Sequence, residues 1–352
     1  MNFAKKLVDW HRVYGRHDLP WQGHHDPYLV WISEIMLQQT QVATAIPYYL
    51  RFIEQFPQLQ DLASAEMDTV LHHWSGLGYY ARARNLHKTS QIISSEFDGN
   101  FPTDIDALIA LPGIGKSTAG AILALSFGQR HPILDGNVKR VLSRYYLITG
   151  WPGHREIEKQ LWQLSDENTP DKEIAEYTQA IMDLGATICT RSNPDCLNCP
   201  VQNNCQARLA DKIHICPGRR PRKDMPVKTA TFLMLKNKHD EIYLTQRPPS
   251  GIWGGLWCLP EVQQDSERLW NQHQPQLEVD TEHALPVIRH TFSHYHLDFT
   301  VIPAKVKGNQ SAGIMESAPA VWYNPDNPPE LGLAAPIKKL IHSKEVQNGK
   351  NG

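Results

Sequence analysis

The sequence lacks an excess of charge of either sign. Its 352 residues carry 35 Lys+Arg against 37 Asp+Glu, a net charge of −2, and dividing the chain near residue 225 leaves both parts close to neutral. A bulk electrostatic pull toward nucleic acid is thereby excluded, so a polyanion has to be met by local patches. No apolar run is long enough to span a bilayer. The opening stretch MNFAKKLVDWHRVYG lacks the apolar core of a secretory signal. The expectation is a soluble intracellular protein with no membrane partner, in the cytoplasm or nucleoid if bacterial. Cysteine is scarce, six residues in all, too few for a disulfide-stapled scaffold. Internal repeats and low-complexity segments are absent, and only the residues from about Ser343 read as a frayed tail. The length leaves room for two or three domains with a sizeable core.

What is present is organised around Leu111 to Arg144, LPGIGKSTAGAILALSFGQRHPILDGNVKRVLSR. Thr103 with Asp106 reads as a variant capping box for a short helix over 104–110. Pro112, Gly113 and Gly115 then force a tight hairpin. Ser117 to Phe127 reads as a second helix, whose N-terminal N–H groups at Gly113, Gly115 and Lys116 form an anion site suited to a DNA phosphate. The spacing is not that of a Walker loop. Further on, Asp135 stands at the start of a basic helix carrying Lys139, Arg140 and Arg144. The positive end of the helix dipole keeps a carboxylate ionised there, and a plain N-cap is an equally local account.

Upstream, LPWQGHHDPYLVWISEIMLQQTQVATAIPYYLRF contains one charged residue between Asp26 and Arg51, Glu34. Ile32, Ile35, Met36 and Leu37 surround it in a helical run. A lone carboxylate in apolar surroundings is costly to ionise, so its pKa should rise. A raised Glu34 and an ionised Asp135 form the carboxylate pair used in glycosyl chemistry. In GLGYYARARNLHK the glycines allow close backbone approach, the aromatics can wedge between bases, and Arg82, Arg84 and Lys88 make a basic strip.

Cys189, Cys196, Cys199 and Cys205 follow with C-x6-C-x2-C-x5-C spacing. Four thiols so close in an intracellular chain read as metal ligands, and the spacing alone leaves zinc and iron–sulfur open. Cys216 and Cys258 read as ordinary thiols. Residues 206–226, with PGRRPRKDMP, read as a stiff, charged linker. From residue 227 the pattern turns to strands, with a hairpin near Lys238–Asp240. His290, His294 and His296 share one strand parity, which also fits zinc.

Taken together, LPGIGKSTAGAI, ILDGNVKR, WISEIMLQQTQV and the cysteine spacing resemble the helix–hairpin–helix DNA glycosylases of the endonuclease III superfamily, most nearly the MutY adenine DNA glycosylases. The resemblance extends over nearly the whole chain. It implies an all-α glycosylase region at 1–226, with the helix–hairpin–helix at 104–127 and the cysteine loop at 189–205, joined to an α+β MutT-like (Nudix-type) domain at 227–345. It implies a [4Fe–4S] cluster on the four cysteines. It makes Glu34 the acid that protonates the departing adenine and then assists water, Asp135 the stabiliser of the cationic sugar, and Asn137 their positioning partner. Trp21 and Gln22 correspond to positions around a flipped-out adenine, Gln39 and Thr40 to positions probing the duplex, and Tyr79 to insertion beside the opposite base. HTFSHYH corresponds to a loop that recognises 8-oxoguanine, with Phe292, Ser293 and His294 at its tip.

Two departures carry information. The lyase branch has a nucleophilic Lys one residue after the hairpin's basic residue, whereas here Ser117 follows Lys116, and a hydroxyl forms no Schiff base. Gly255 with Glu261 resembles the start of a Nudix box, but the acidic cluster that would bind metal is missing, since 269–275 reads LWNQHQP, so nucleotide pyrophosphatase activity is not expected. The expectation is a monomeric enzyme that hydrolyses adenine from double-stranded DNA where it pairs with 8-oxoguanine or guanine, leaving an abasic site. A bifunctional glycosylase/lyase, a non-catalytic DNA-binding iron–sulfur protein and a Nudix hydrolase, which would need the missing acidic box, are the alternatives.

Overall fold

The computed structural model describes residues 2–221, 224–262, 277–306 and 319–343. The chain divides into two compact units, residues 1–64 with 85–222, and residues 65–84 with 223–352. No helix among the described residues is long and apolar enough to cross a membrane. The acid-poor stretch 269–275 lies outside the described residues.

The first unit is helical. α1 (Phe3–Tyr14), α2 (Pro27–Leu37), α3 (Val42–Gln55) and α4 (Leu59–Ser64) precede the first boundary, and the chain returns to this unit inside α6 (Ala81–Glu96). α7 (Ile105–Ala110) and α8 (Lys116–Phe127) form the expected hairpin pair, followed by α9 (Gly136–Tyr145), α10 (Arg155–Asn168), α11 (Ile174–Asp183) and a π-helical turn Leu184–Ile188. α7 is capped by Asp104, whose side chain accepts from the Ala107 N–H, and not by Thr103 as expected. A short Asp one residue nearer the helix makes the same bond without a return from Asp106. One core collects Phe3, Leu7 and Val8 of α1 with Val138, Leu142, Leu161, Tyr177 and Ile181, so the N-terminal helix packs on the last helices of the unit.

Part of the expected linker is folded. α12 (Gln206–Leu209) buries Ala207 against Cys205 and Cys216, and the Gly218 N–H donates to the Gly150 carbonyl. The proline-rich, basic composition of 217–223 marks solvation, yet the apolar residues before it had a surface to cover.

In the second unit, eight strands among the described residues form a mixed sheet. β1 (Val227–Lys236) pairs antiparallel with β2 (Ile242–Gln246) across the expected turn and parallel with β7 (His296–Val306). β3 (Trp257–Cys258) and β8 (Ala320–Tyr323) flank β2, β4 (Glu261–Val262) joins β1, and β5 (Leu277–Val279) and β6 (Ile288–Thr291) join β7. Phe232 to Leu235 are all buried. Such a continuous apolar run belongs to a strand covered on both faces. α13 (Ala335–Ile341) contributes Ile337, Leu340 and Ile341 to the buried set. α5 (Met67–Trp74) also belongs to this unit. The Gln246 amide donates to Asp68, and a Cβ on Gly332 would stand 2.5 Å from that of Leu71.

Candidate active site

α2 explains why Glu34 is isolated. Asp26 caps the helix, Pro27 begins it, and Val30, Trp31, Ile32, Ile35 and Met36 are buried. A helix apolar nearly all round is a core helix, and Glu34 is its one acid. It lines a cavity of about 1,120 Å³ within the first unit. The cavity wall also carries Trp21, Gln22, Gln39, Thr40, Ser117, Asp135, Asn137 and Arg191.

Asp135 reaches the cavity because the hairpin's second helix holds the extended segment before it. The Leu134 N–H donates to Ser117 Oγ at 2.9 Å. A Cβ on Gly120 would come 2.7 Å from the Pro132 carbonyl oxygen, so glycine permits this approach. Asp135 then caps α9, with Oδ1 accepting from the Val138 N–H at 2.7 Å and Oδ2 from Asn137 Nδ2 at 3.0 Å. Asp135 is thus an N-cap and also lines the cavity.

Burial pushes the Glu34 carboxyl up to about 8, and the neighbouring Asp135 adds to the shift. Burial also raises Asp135, opposed by the Val138 and Asn137 hydrogen bonds and by the charge of Arg140. The sequence expected only the dipole to act on Asp135. Desolvation, invisible without the cavity, works the other way.

The basic helix does not present all its cations outward. Lys139 donates to Glu158 at 2.6 Å. Arg140 donates to Asn137 Oδ1 at 2.8 Å, to the Gly185 carbonyl at 2.6 Å and to the Cys189 carbonyl at 2.7 Å. Arg144 is buried and donates to the carbonyls of Cys189, Thr190, Arg191 and Cys216 and to Cys189 Sγ. A Cβ on Gly185 would meet that of Asn137 at 2.6 Å. A continuous set of contacts thus runs from Asp135 through Asn137 and Arg140 to the cysteine loop. Sequence reasoning missed it. The available signal was the i, i+4 spacing of the two arginines, which puts them on one face.

The cysteines Cys189, Cys196, Cys199 and Cys205 line one small pocket with Ile188, Arg208 and Ile213. Burial raises the thiols of Cys196, Cys199 and Cys205, and the nearby Cys189 adds to each shift. No set of three or more His, Cys, Asp or Glu side chains among the described residues stands in metal-ligand geometry. Four cysteine sulfurs lining one space suit a soft metal centre, iron–sulfur or zinc. His290, His294 and His296 form no such set either.

Other expected residues lie as follows. Trp21 is buried edge-on against Tyr49, and Gln22 has a buried Nε2 without a partner. Gly113 (φ +80) and Gly115 are exposed at the hairpin. Gln39 and Tyr79 both hold positive φ, +57 and +50, a strained state that concentrates at functional positions. Tyr79, 48% exposed, belongs to the second unit, as do Phe292, Ser293 and His294 at the β6–β7 tip. Asp183, at the end of α11, is fully buried and bound by Arg16 and Gln179.

Residues 32–167 match the HhH-GPD superfamily of base excision DNA repair proteins, and residues 231–343 match the NUDIX domain. The chain is 39% identical over 341 residues to the adenine DNA glycosylase of Buchnera aphidicola subsp. Acyrthosiphon pisum, covering 97% of each. It is 34% identical over 409 residues to the human adenine DNA glycosylase, covering 98% of this chain and 74% of that protein. Among solved structures, a thermostable thymine-DNA glycosylase aligns with TM-score 0.54 at 25% identity, over 59% of this chain and 95% of that one. An endonuclease III–DNA complex aligns with TM-score 0.50 at 20% identity, over 60% and 99%, and shares the helical fold. With relatives this similar along its whole length, and with the hairpin, the two-carboxylate cavity and the strand-rich second unit in their expected order, the chain belongs to the adenine DNA glycosylases of the HhH-GPD superfamily.

Proposed function

We propose that the protein removes adenine from double-stranded DNA where it stands opposite 8-oxoguanine or guanine, leaving an abasic site. The observation that carries this reading is Glu34. It is a lone acid in an apolar helix, protonated up to about pH 8 and facing the same cavity as Asp135.

Adenine is a poor leaving group until it is protonated. With the base flipped into the cavity, Glu34 gives its proton to the adenine as the C1′–N bond breaks and the bonding pair leaves with the base. The sugar left behind is cationic. The Asp135 carboxylate, held by Val138 and Asn137, stabilises it. Water then adds to C1′, and its proton returns to the Glu34 carboxylate, which restores the enzyme. Asn137 fixes the Asp135 oxygens through its amide. Trp21 and Gln22 bound the base, and the unpaired Gln22 Nε2 offers a donor to it. Gly113 and Gly115 receive phosphate, Gln39, Thr40 and Tyr79 probe the opened duplex, and the Phe292–Ser293–His294 tip reads the opposite base. Ser117 supplies no amine, and its hydroxyl already accepts from Leu134, so strand cleavage by Schiff base is not expected. A [4Fe–4S] cluster on Cys189, Cys196, Cys199 and Cys205 would cross-link the loop that Arg140 and Arg144 grip.

The test is incubation with duplexes bearing adenine opposite each normal base and opposite 8-oxoguanine. Adenine release is expected from the 8-oxoguanine and guanine pairs, with strand breaks appearing only after alkali. Equal release opposite thymine, or no release from any duplex, refutes the reading.

A further inference from the structure

Trp253 lies within an aromatic cluster beneath the β6–β7 tip. Its ring stands 5.8 Å from Phe232 and 5.7 Å from Phe299 in the core, and 5.8 Å from His290 and 6.3 Å from Phe292 toward the tip. Phe292 in turn stacks on Tyr295 at 4.6 Å. Trp253 occupies this place at a cost. Its φ is +51, a conformation a bulky residue rarely adopts, and its buried Nε1 has no partner. A glycine would avoid both penalties, and glycines stand on its C-terminal side at 254 and 255. A residue held against such costs is held by what it touches.

The loop carrying Trp253 is braced at both ends. Arg247 donates to the Ile252 carbonyl and to Glu261, and Arg84 Nη1 donates to the Gly254 carbonyl at 2.6 Å. Arg84 lies five residues after Tyr79 in the same unit, and Arg82 between them sits over the rings of Trp74 at 5.3 Å and Tyr79 at 5.5 Å.

We propose that Trp253 is a positioning residue that sets the Phe292 ring for reading the base opposite the adenine, and that its loop joins the tip and the Tyr79 segment into one body. This rests on the reading of the 292–294 tip above. The indole acts as a rigid wall, and its N–H is dispensable.

The test uses the full-length, cluster-loaded protein. Affinity is measured for duplexes carrying an uncleavable adenosine analogue opposite 8-oxoguanine or guanine, with single-turnover release measured on the natural pairs. Trp253→Leu is expected to lower the binding preference for 8-oxoguanine at least fivefold, while release from the bound guanine pair changes less than twofold. Trp253→Phe retains the preference. Trp253→Gly, which relieves the backbone while deleting the ring, behaves as Leu does and serves if Leu does not fold. A merely structural role would weaken both duplexes equally, and that result overturns the proposal, as does full preference in a folded ring-deleted variant. The Phe292→Ala, Ser293→Ala, His294→Ala triple variant separates the two ideas. If it keeps full preference, the tip reading fails. If it loses preference while Trp253→Leu keeps it, only the positioning role fails.

Discussion

Replacing Glu34 with Gln should change the pH dependence of stability as well as activity. The Glu34 carboxyl is raised from 4.5 to about 8, so the folded protein holds a proton that the unfolded chain releases. The resulting stability is fully present below the unfolded pKa and is lost as pH rises through the folded one. At about 1.4 kcal/mol per unit the ceiling is about 5 kcal/mol, of which about 2 kcal/mol disappears between pH 6 and pH 8. Gln is neutral throughout and loses nothing there. Asp135 titrates in both proteins and largely cancels in their difference. With roughly 2–4 °C per kcal/mol for a unit of this size, Tm of the native protein minus Tm of Glu34→Gln should fall by roughly 4–8 °C from pH 6 to pH 8. Thermal melts across that range, paired with single-turnover adenine release, make the check. Release by the native protein should hold below pH 8 and decline above it, and release by the variant should be nearly abolished. A difference in Tm that stays flat with pH would mean that Glu34 titrates normally, and the proton-donor assignment would fall with it.

Other expectations follow from particular bonds. Ser117→Lys removes the acceptor of the Leu134 N–H and should cost about 1–3 kcal/mol, seen as a lowered Tm. Borohydride should trap DNA poorly with the native chain, and efficient trapping would reveal another amine nucleophile. Arg144→Ala leaves the carbonyls of Thr190, Arg191 and Cys216 without the guanidinium that donates to them, so iron per chain should fall well below that of the native protein. The native protein itself should hold about four irons, as a [4Fe–4S] cluster requires. Stoichiometric zinc without iron would remove the cluster, and unchanged iron in Arg144→Ala would remove the arginine clasp.

Local chemistry in the sequence sufficed wherever one residue type answers one local demand. Gly113 and Gly115 mark the hairpin, Asp135 marks a helix start, and a solitary Glu34 among Ile32, Ile35 and Met36 implies a raised pKa. Even the β1–β2 turn near Asp240 was legible, because strand period and turn residues are short-range signals. Tertiary structure decided what depends on which surfaces meet. Arg140 and Arg144 read as a cationic face in isolation, and only the packed loop turns them onto the Cys189 carbonyl. Residues 65–84 lie among helices in the sequence, yet Leu71 packs against Gly332, 261 positions away. The burial that raises Asp135 against its own helix dipole exists only once α2, α8 and α9 close around one cavity. Desolvation and long-range packing are properties of the assembled space, and no stretch of sequence carries them alone.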